Sequence, residues 1–166
     1  RGTCDAIAEC RAQANDARIR SVSFSGQMHG TVIVGRDGIP VRPAIIWADQ
    51  RSAKEVDEFL REVRRDRIAR WTANPVATGF QLASLLWLAK HEPQSLRNVE
   101  AILLPKDYIR GRMTGIWATE ASDACSTLLY DTAHRAWSAE IVAAAHLRHG
   151  WLPSSFAATG RAGTRS

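Results

Sequence analysis

One stretch constrains the fold of this chain more than any other: Ser21 to Arg51, reading SVSFSGQMHGTVIVGRDGIPVRPAIIWADQR. Val22 and Phe24 alternate with serines, Thr31 to Val34 is apolar and β-branched, and Pro43 to Trp47 ends in another apolar run. Three strands are the reading, with Asp37-Gly38 as the tight turn between the second and third. The first strand stops at Ser25-Gly26-Gln27-Met28-His29-Gly30, where two glycines bracket Gln, Met and His. Glycine there lets the backbone take a positive φ and lets a ligand come close, so the bracketed side chains can be presented at a strand end. The third strand ends in Trp47-Ala48-Asp49-Gln50-Arg51, which adds an aromatic ring, a carboxylate and a guanidinium. Ligands of open α/β sheets bind beyond the carboxyl ends of strands, so these two strand ends form the expected site.

Helical patterns surround this stretch and make the class α/β. Gly2 to Ala17 carries Ile7, Cys10 and Ala14 or Ala17 on one face, as a moderately amphipathic helix without a clear cap. Ser52 with Glu55 reads as a capping box ahead of a helix to about Val63, whose buried stripe is Val56, Phe59 and Leu60. A shorter helix through Ile68 and Trp71 ends before Asn74-Pro75. Leu82, Leu85, Leu86 and Ala89 recur at helical spacing over Phe80 to Lys90, and Pro93 stops that helix ahead of one turn at Ser95 to Asn98. Ala101 to Leu104 is a short strand, and Pro105 opens a helix over Lys106 to Met113 at the position proline favours. Trp117 to Ser126 reads as a polar loop, Thr127 to Tyr130 as a strand, and Ser138 as the cap of a last helix over Ala139 to Leu147. Trp151-Leu152-Pro153 looks like a strand entry, and the end beyond it is small and basic.

Composition narrows the function classes. With 166 residues, 45% hydrophobic and 23% charged, the chain is expected to be one soluble globular domain. It shows no apolar run of membrane-spanning length and no secretory signal, so a cytoplasmic location is expected. Cys4, Cys10 and Cys125 are odd in number and lack CxxC spacing, which indicates neither a disulfide framework nor a zinc site. The net charge of +5 does not point to nucleic acid. The arginines between Arg61 and Arg70 alternate with Glu62, Asp66 and apolar residues as on a solvated helix face, with no aromatic-interleaved basic motif.

The polar groups at the two strand ends suit a sugar. Each sugar hydroxyl both donates and accepts, and an unpaired buried partner costs ~1 to 3 kcal/mol, so a mixture of neutral and charged groups on a rigid frame is needed. Gln27, His29, Asp49, Arg51 and Asp123 supply it. Asp49 and Arg51 could instead pair with each other or cap the Ser52 helix, and Gln27 could hold its own loop. Lys106-Asp107 reads as a surface ion pair at a helix start.

SGQMHG and RPAIIWADQRS are followed in order by NPVATGF, SLLWLAKHEP, LPKDYIRGRMTG and ATEASDACSTLLYD. Together these blocks, spread over Ile19 to Leu152, resemble the N-terminal domain of the FGGY carbohydrate kinases. The resemblance implies part of an actin-like (ribonuclease H-like) ATPase domain, a mixed sheet with flanking helices, lacking the N-terminal strands and the second domain. Residues 1–166 would be the sugar-binding side of that N-terminal domain, with 153–166 as a poorly ordered end. Met28 and His29 would be the substrate-contacting pair and Asp123 the acidic or amide position of an SDA-type segment, joined by Gln27, Asp49 and Arg51. The implied reaction is transfer of phosphate from ATP, with Mg2+, to a primary hydroxyl of a ketopentose, D-xylulose giving its 5-phosphate. ATP and Mg2+ would be held mainly by a glycine-rich hairpin and a second half outside this chain. The family's general base, an Asp of a GGGD-type segment, has no match here, so no catalytic residue is expected within 1–166.

Ser84 departs from the lysine usual in the family, which leaves that lysine's contribution unsupplied. Two alternatives stay open: a non-catalytic truncated sugar-binding or interaction module, and an FGGY kinase for another ketose or polyol. Met28-His29 in place of the Arg-Glu of the glycerol branch argues against the latter. The partner expected is a small-molecule sugar, with no nucleic acid and no membrane. The uncovered sheet edge implies either a longer polypeptide or a homo-oligomer, and by itself the chain should bind sugar weakly and transfer no phosphate.

Overall fold

The computed structural model describes residues 2–14 and 18–160. At its centre β1 (Val32–Gly35) pairs antiparallel with β2 (Val99–Leu103), with Val32 opposite Leu103 and Ile33 opposite Ile102. Both faces of this pair are covered over most of its length, so its residues run largely apolar rather than alternating, with Glu100 the one exposed charge. Ile33 and Ile102 point into the main core with Phe59, Ile68, Leu82, Leu85, Leu88 and Ile141, while Val32, Val34, Ala101 and Leu103 pack on Tyr108 and Trp117.

The helices follow the hydrophobic periodicity closely. They are α2 (Ala53–Glu62), α3 (Arg65–Thr72), α4 (Gln81–His91) and α5 (Pro105–Thr114), and a 3₁₀ turn at Pro93–Leu96 follows α4. Leu82, Leu85 and Leu88 of α4 are wholly buried, and α2 packs on this helix. Pro105 opens α5, and Gly115 closes it at φ 74, a left-handed conformation that suits glycine. The turn at Asp37-Gly38 is also as expected: Gly38 has φ 74, Asp37 accepts from the Ile39 N–H at 3.0 Å, and the Gly35 N–H donates to Ile39 at 2.9 Å.

Several expectations are corrected. No strand forms over Ser21 to Phe24. These residues have no pairing partner among the described residues, and a lone strand would leave its backbone groups to water. The third strand, Pro43 to Trp47, reduces to one isolated bridge of Ile45 with Thr31, and a further bridge joins Val34 to Pro40 ahead of it. The opening helix α1 (Gly2–Gln13) forms but buries none of its residues, and Ile7 and Cys10 on its apolar face are exposed. The expected extension to Ala17 lies outside the described residues.

Ser52 precedes α2 without a side-chain cap bond, so the capping box is not made. Trp117 to Ser126 is not a loop but β3 (Ala118–Glu120), α6 (Ala121–Ala124) and the start of a 3₁₀ turn at Cys125–Thr127. The strand expected at Thr127 begins later, as β4 (Tyr130–Asp131) paired with β5 (Ala136–Trp137). The Thr127 hydroxyl donates back to the Ala124 carbonyl at 2.6 Å and accepts from the Leu129 N–H at 3.1 Å, a local pattern that competes with strand pairing. Ser138 caps α7 (Ala139–Ala144) by accepting from the Ile141 N–H at 3.3 Å.

Beyond Pro153 the chain forms one more element. β6 (Ser154–Phe156) pairs parallel with β3, and the Tyr130 hydroxyl meets that of Ser155 at 3.0 Å. Residues 161–166 lie outside the described ones.

Candidate functional site

The SGQMHG segment folds as an exposed turn laid on the start of α5. Its glycines serve close approach rather than positive φ. A Cβ on Gly26 would stand 3.2 Å from the Lys106 Cβ, and one on Gly30 would stand 2.8 Å from the Pro105 Cγ. The residue that takes the left-handed conformation is His29 itself, at φ 64. The Gly30 N–H donates to the Met28 carbonyl at 2.8 Å, closing a three-residue turn with His29 at its apex, a rare and strained geometry for a residue with a Cβ.

Tertiary contacts hold His29 in that state. Its Nδ1 lies 2.8 Å from the Ser126 carbonyl, and its ring centroid lies 4.1 Å from that of Phe80. A carbonyl oxygen only accepts, so Nδ1 carries the proton. In the neutral ring Nε2 is then an acceptor free of protein partners among the described residues. Met28 is 50% exposed beside it, and Gln27 is exposed with no side-chain hydrogen bond to the described residues.

Below this turn sits a group that sequence reasoning missed. Lys106 Nζ is 2.9 Å from Asp107 Oδ1, 3.1 Å from Asp123 Oδ2 and 3.6 Å from Glu120 Oε1. The expected surface ion pair is in fact buried: the Lys106 side chain is 9% and that of Asp107 3% exposed. Burial by itself disfavours the lysine charge, but Asp107 and Asp123 outweigh it and hold the Lys106 pKa above its usual range. Burial pushes the Asp107 carboxyl up despite Lys106, and Oδ2 of Asp107 has no hydrogen bond. Glu120 caps α6, accepting from Ser122 N at 2.7 Å and Asp123 N at 3.0 Å. Although burial opposes it, these bonds and Lys106 keep the Glu120 carboxyl below its ordinary value. Burial, and then the charges of Glu120 and Asp123, push the neighbouring Cys125 thiol up, so it stays protonated. The signals that could have found this group were the Glu120/Asp123 spacing and the lysine after the helix-opening proline. Neither says that 17 positions of chain separate side chains in contact.

Asp49 and Arg51 form a second, separate group. Arg51 Nε lies 2.8 and 2.9 Å from the two Asp49 oxygens, its NH2 lies 2.8 Å from Oδ2, and its guanidinium lies 4.8 Å from the centroid of Trp87. The hydrogen bond from Arg51, more than burial, determines the shift of the Asp49 carboxyl, which is held below its usual range. The segment is anchored at Gly79, at φ 82, where an added Cβ would fall 2.0 Å from the Trp47 carbonyl oxygen, and by a bond from the Thr78 hydroxyl to Gln50 Oε1. No hydrogen bond or ion pair among the described residues joins Asp49 or Arg51 to His29 or Lys106. The structure thus brings His29 and Asp123 into one network, keeps Met28 and Gln27 on its rim, and leaves Asp49 and Arg51 to brace each other. Ser84, 2% exposed, faces the interior from α4.

Among the described residues no group of three or more His, Cys, Asp or Glu side chains is arranged to hold a metal ion, and no helix is long and apolar enough to cross a membrane. The carboxylates that do converge are already neutralised in part by Lys106, so they do not fit a resident metal ion.

The chain matches the model of the FGGY family of carbohydrate kinases, N-terminal domain, over residues 2–165. It is similar to the xylulose kinase of Staphylococcus xylosus, 39% identical over 124 residues, which cover 75% of this chain and 26% of that protein. Similarity to the xylulose kinase of Bacillus subtilis is 41% over 143 residues, covering 84% of this chain and 28% of that protein. The chain therefore spans about a quarter of the length of these relatives. Its structure is similar to the crystal structure of a xyloylose kinase from Brucella ovis, with a TM-score of 0.88 and 32% identity over 98% of this chain and 33% of that one. The mixed arrangement of helices and strands is that of the actin-like domain of such sugar kinases.

Proposed function

The chain belongs to the FGGY family of carbohydrate kinases, and on that premise we propose that it forms the sugar-binding side of a kinase that phosphorylates D-xylulose to D-xylulose 5-phosphate. The observation that carries this reading is His29, held at φ 64 with Nδ1 bound to Ser126 and Nε2 turned into an acceptor. A hydroxyl of the sugar donates to Nε2, the exposed Gln27 amide both donates and accepts, and the partly exposed Asp123 carboxylate accepts. Met28 offers an apolar contact to the carbon chain. Such a set orients a polyhydroxy ligand before any chemistry, which is how positioning lowers a barrier for phosphoryl transfer. Asp49, braced by Arg51 in its separate group, is a further carboxylate that the substrate would reach from that side. The phosphate donor of this reading is ATP with Mg2+, which supplies the transferred group. The donor set here does not fit the metal, so no step is drawn through it.

The test is the full-length gene product incubated with Mg-ATP and a panel of D-xylulose, D-ribulose, gluconate and glycerol, read by ³¹P NMR. D-xylulose 5-phosphate as the preferred product supports the proposal. Preference for another polyol overturns the substrate, and sugar binding without phosphorylation by any member of the panel favours a non-catalytic module.

A further inference from the structure

Lys106 touches both halves of the group assigned above to the sugar. Its Cβ lies 3.2 Å from where a Cβ on Gly26, at the start of the His29 turn, would stand, and its Nζ holds Asp123 Oδ2 at 3.1 Å. From Asp123 the connection continues through the protein. The Ser126 hydroxyl donates to the Asp123 carbonyl at 2.7 Å, and the Ser126 carbonyl accepts from His29 Nδ1 at 2.8 Å. Between these points lies a short segment, Ala121–Thr127, whose start is capped by Glu120, itself 3.6 Å from the same ammonium.

We infer that Lys106 is a positioning residue for sugar recognition, setting the tautomer and orientation of His29 through Asp123 and Ser126. The inference rests on the proposed function for its consequence, but not for its geometry. Three carboxylates, Asp107, Glu120 and Asp123, converge on one mostly buried ammonium. Without that ammonium they repel one another at close range, where screening by water is weak. Asp107 is the most buried of the three and belongs to α5, so the displacement falls on the more exposed Glu120 and Asp123. Their movement shifts the turn that presents the Ser126 carbonyl. His29 then loses the acceptor that opposes its backbone strain, and the ring is free to place its proton on either nitrogen. A lysine whose only role was stability would lower the melting temperature without selecting a tautomer.

The experiment uses the full-length protein labelled with ¹⁵N-histidine, the His29 signals being assigned by their loss in His29→Ala. In the unmodified protein the neutral His29 ring shows the Nδ1–H form. Lys106→Met converts it to a mixture and raises the KM for D-xylulose by roughly tenfold, with the KM for ATP unchanged, the size expected for removal of one member of a coupled network. Ser126→Ala removes only the hydroxyl link and leaves the charge cluster intact. It moves the ring in the same direction, and it keeps the test decisive where Lys106→Met does not fold. Asp107→Asn lowers stability and leaves the ring in the Nδ1–H form. An unmoved ring in either folded variant, or an equal shift in Asp107→Asn, overturns the inference. A pinned ring in a protein that phosphorylates no xylulose overturns the proposed function while leaving the coupling of Lys106 to His29 in place.

Discussion

His91 Nε2 lies 2.8 Å from Oε1 of Glu55, joining the end of α4 to the first turn of α2. Glu55 is only 5% exposed, and Lys90 Nζ stands 3.6 Å from the same oxygen. A glutamate at this place in a helix would ordinarily reach back to its own N-cap. Here it is drawn across the interface instead, where the His91 ring and the Lys90 ammonium both face its buried carboxylate.

This pair makes stability depend on acid. Burial raises the Glu55 carboxyl, but the His91 bond, a backbone hydrogen bond at Glu55 itself and the nearby Lys90 charge bring it below its ordinary 4.5. The unfolded chain therefore takes up the proton first. The stabilisation is complete above about pH 4.5 and is lost as pH falls through the lower folded value. Glu120 has the same sign. Melting temperature measured from pH 7 to pH 3 should decline in the acid limb, and Glu55→Gln should show a shallower decline while losing about 1 kcal/mol near neutrality.

His29 separates ring chemistry from backbone strain. His29→Ala should reduce the efficiency of xylulose use by roughly ten- to a hundredfold, or ~1 to 3 kcal/mol, without a matching change for ATP. A change confined to ATP would remove His29 from the sugar side. His29→Gly loses the same ring but relieves the positive φ, so it should be more stable than His29→Ala by about 1 kcal/mol in chemical denaturation.

Gly79→Ala should be far more damaging than its size suggests. The position combines φ 82 with a Cβ direction blocked by the Trp47 carbonyl backbone, which cannot swing aside like a side chain. A loss of about 3 kcal/mol is expected, together with displacement of the segment that carries Asp49 and Arg51. An unchanged melting temperature would show that the Trp47 loop yields freely.

Arg51→Lys tests the brace on Asp49. Lysine keeps the charge but cannot span both carboxylate oxygens or stack on Trp87 in the same way. Because Arg51 is 40% exposed, the cost in stability should be below about 1 kcal/mol, and the larger effect should be on the KM for xylulose. Unchanged kinetics would assign Arg51 to the surface alone.

What the sequence determined by itself was the set of elements whose cause is local. Leucines at helical spacing make α4, Pro105 and Gly115 bound α5, Asp37-Gly38 makes its turn, and the ordered blocks from SGQMHG onward carry the family. Tertiary structure decided what each polar residue does. The Gly-bracketed turn was legible, but not that the glycines admit Pro105 and Lys106 while His29 bears the positive φ. Glu55 left its capping role for His91, and Lys106 left the surface for three carboxylates. Ser21 to Phe24 had the pattern of a strand and no described partner to pair with. The physical reason is common to all of these: propensity and periodicity act within a few residues, whereas the partner of a buried charge or an edge strand comes from distant chain. His29 and Ser126 meet across 97 positions, a distance over which no local pattern carries information.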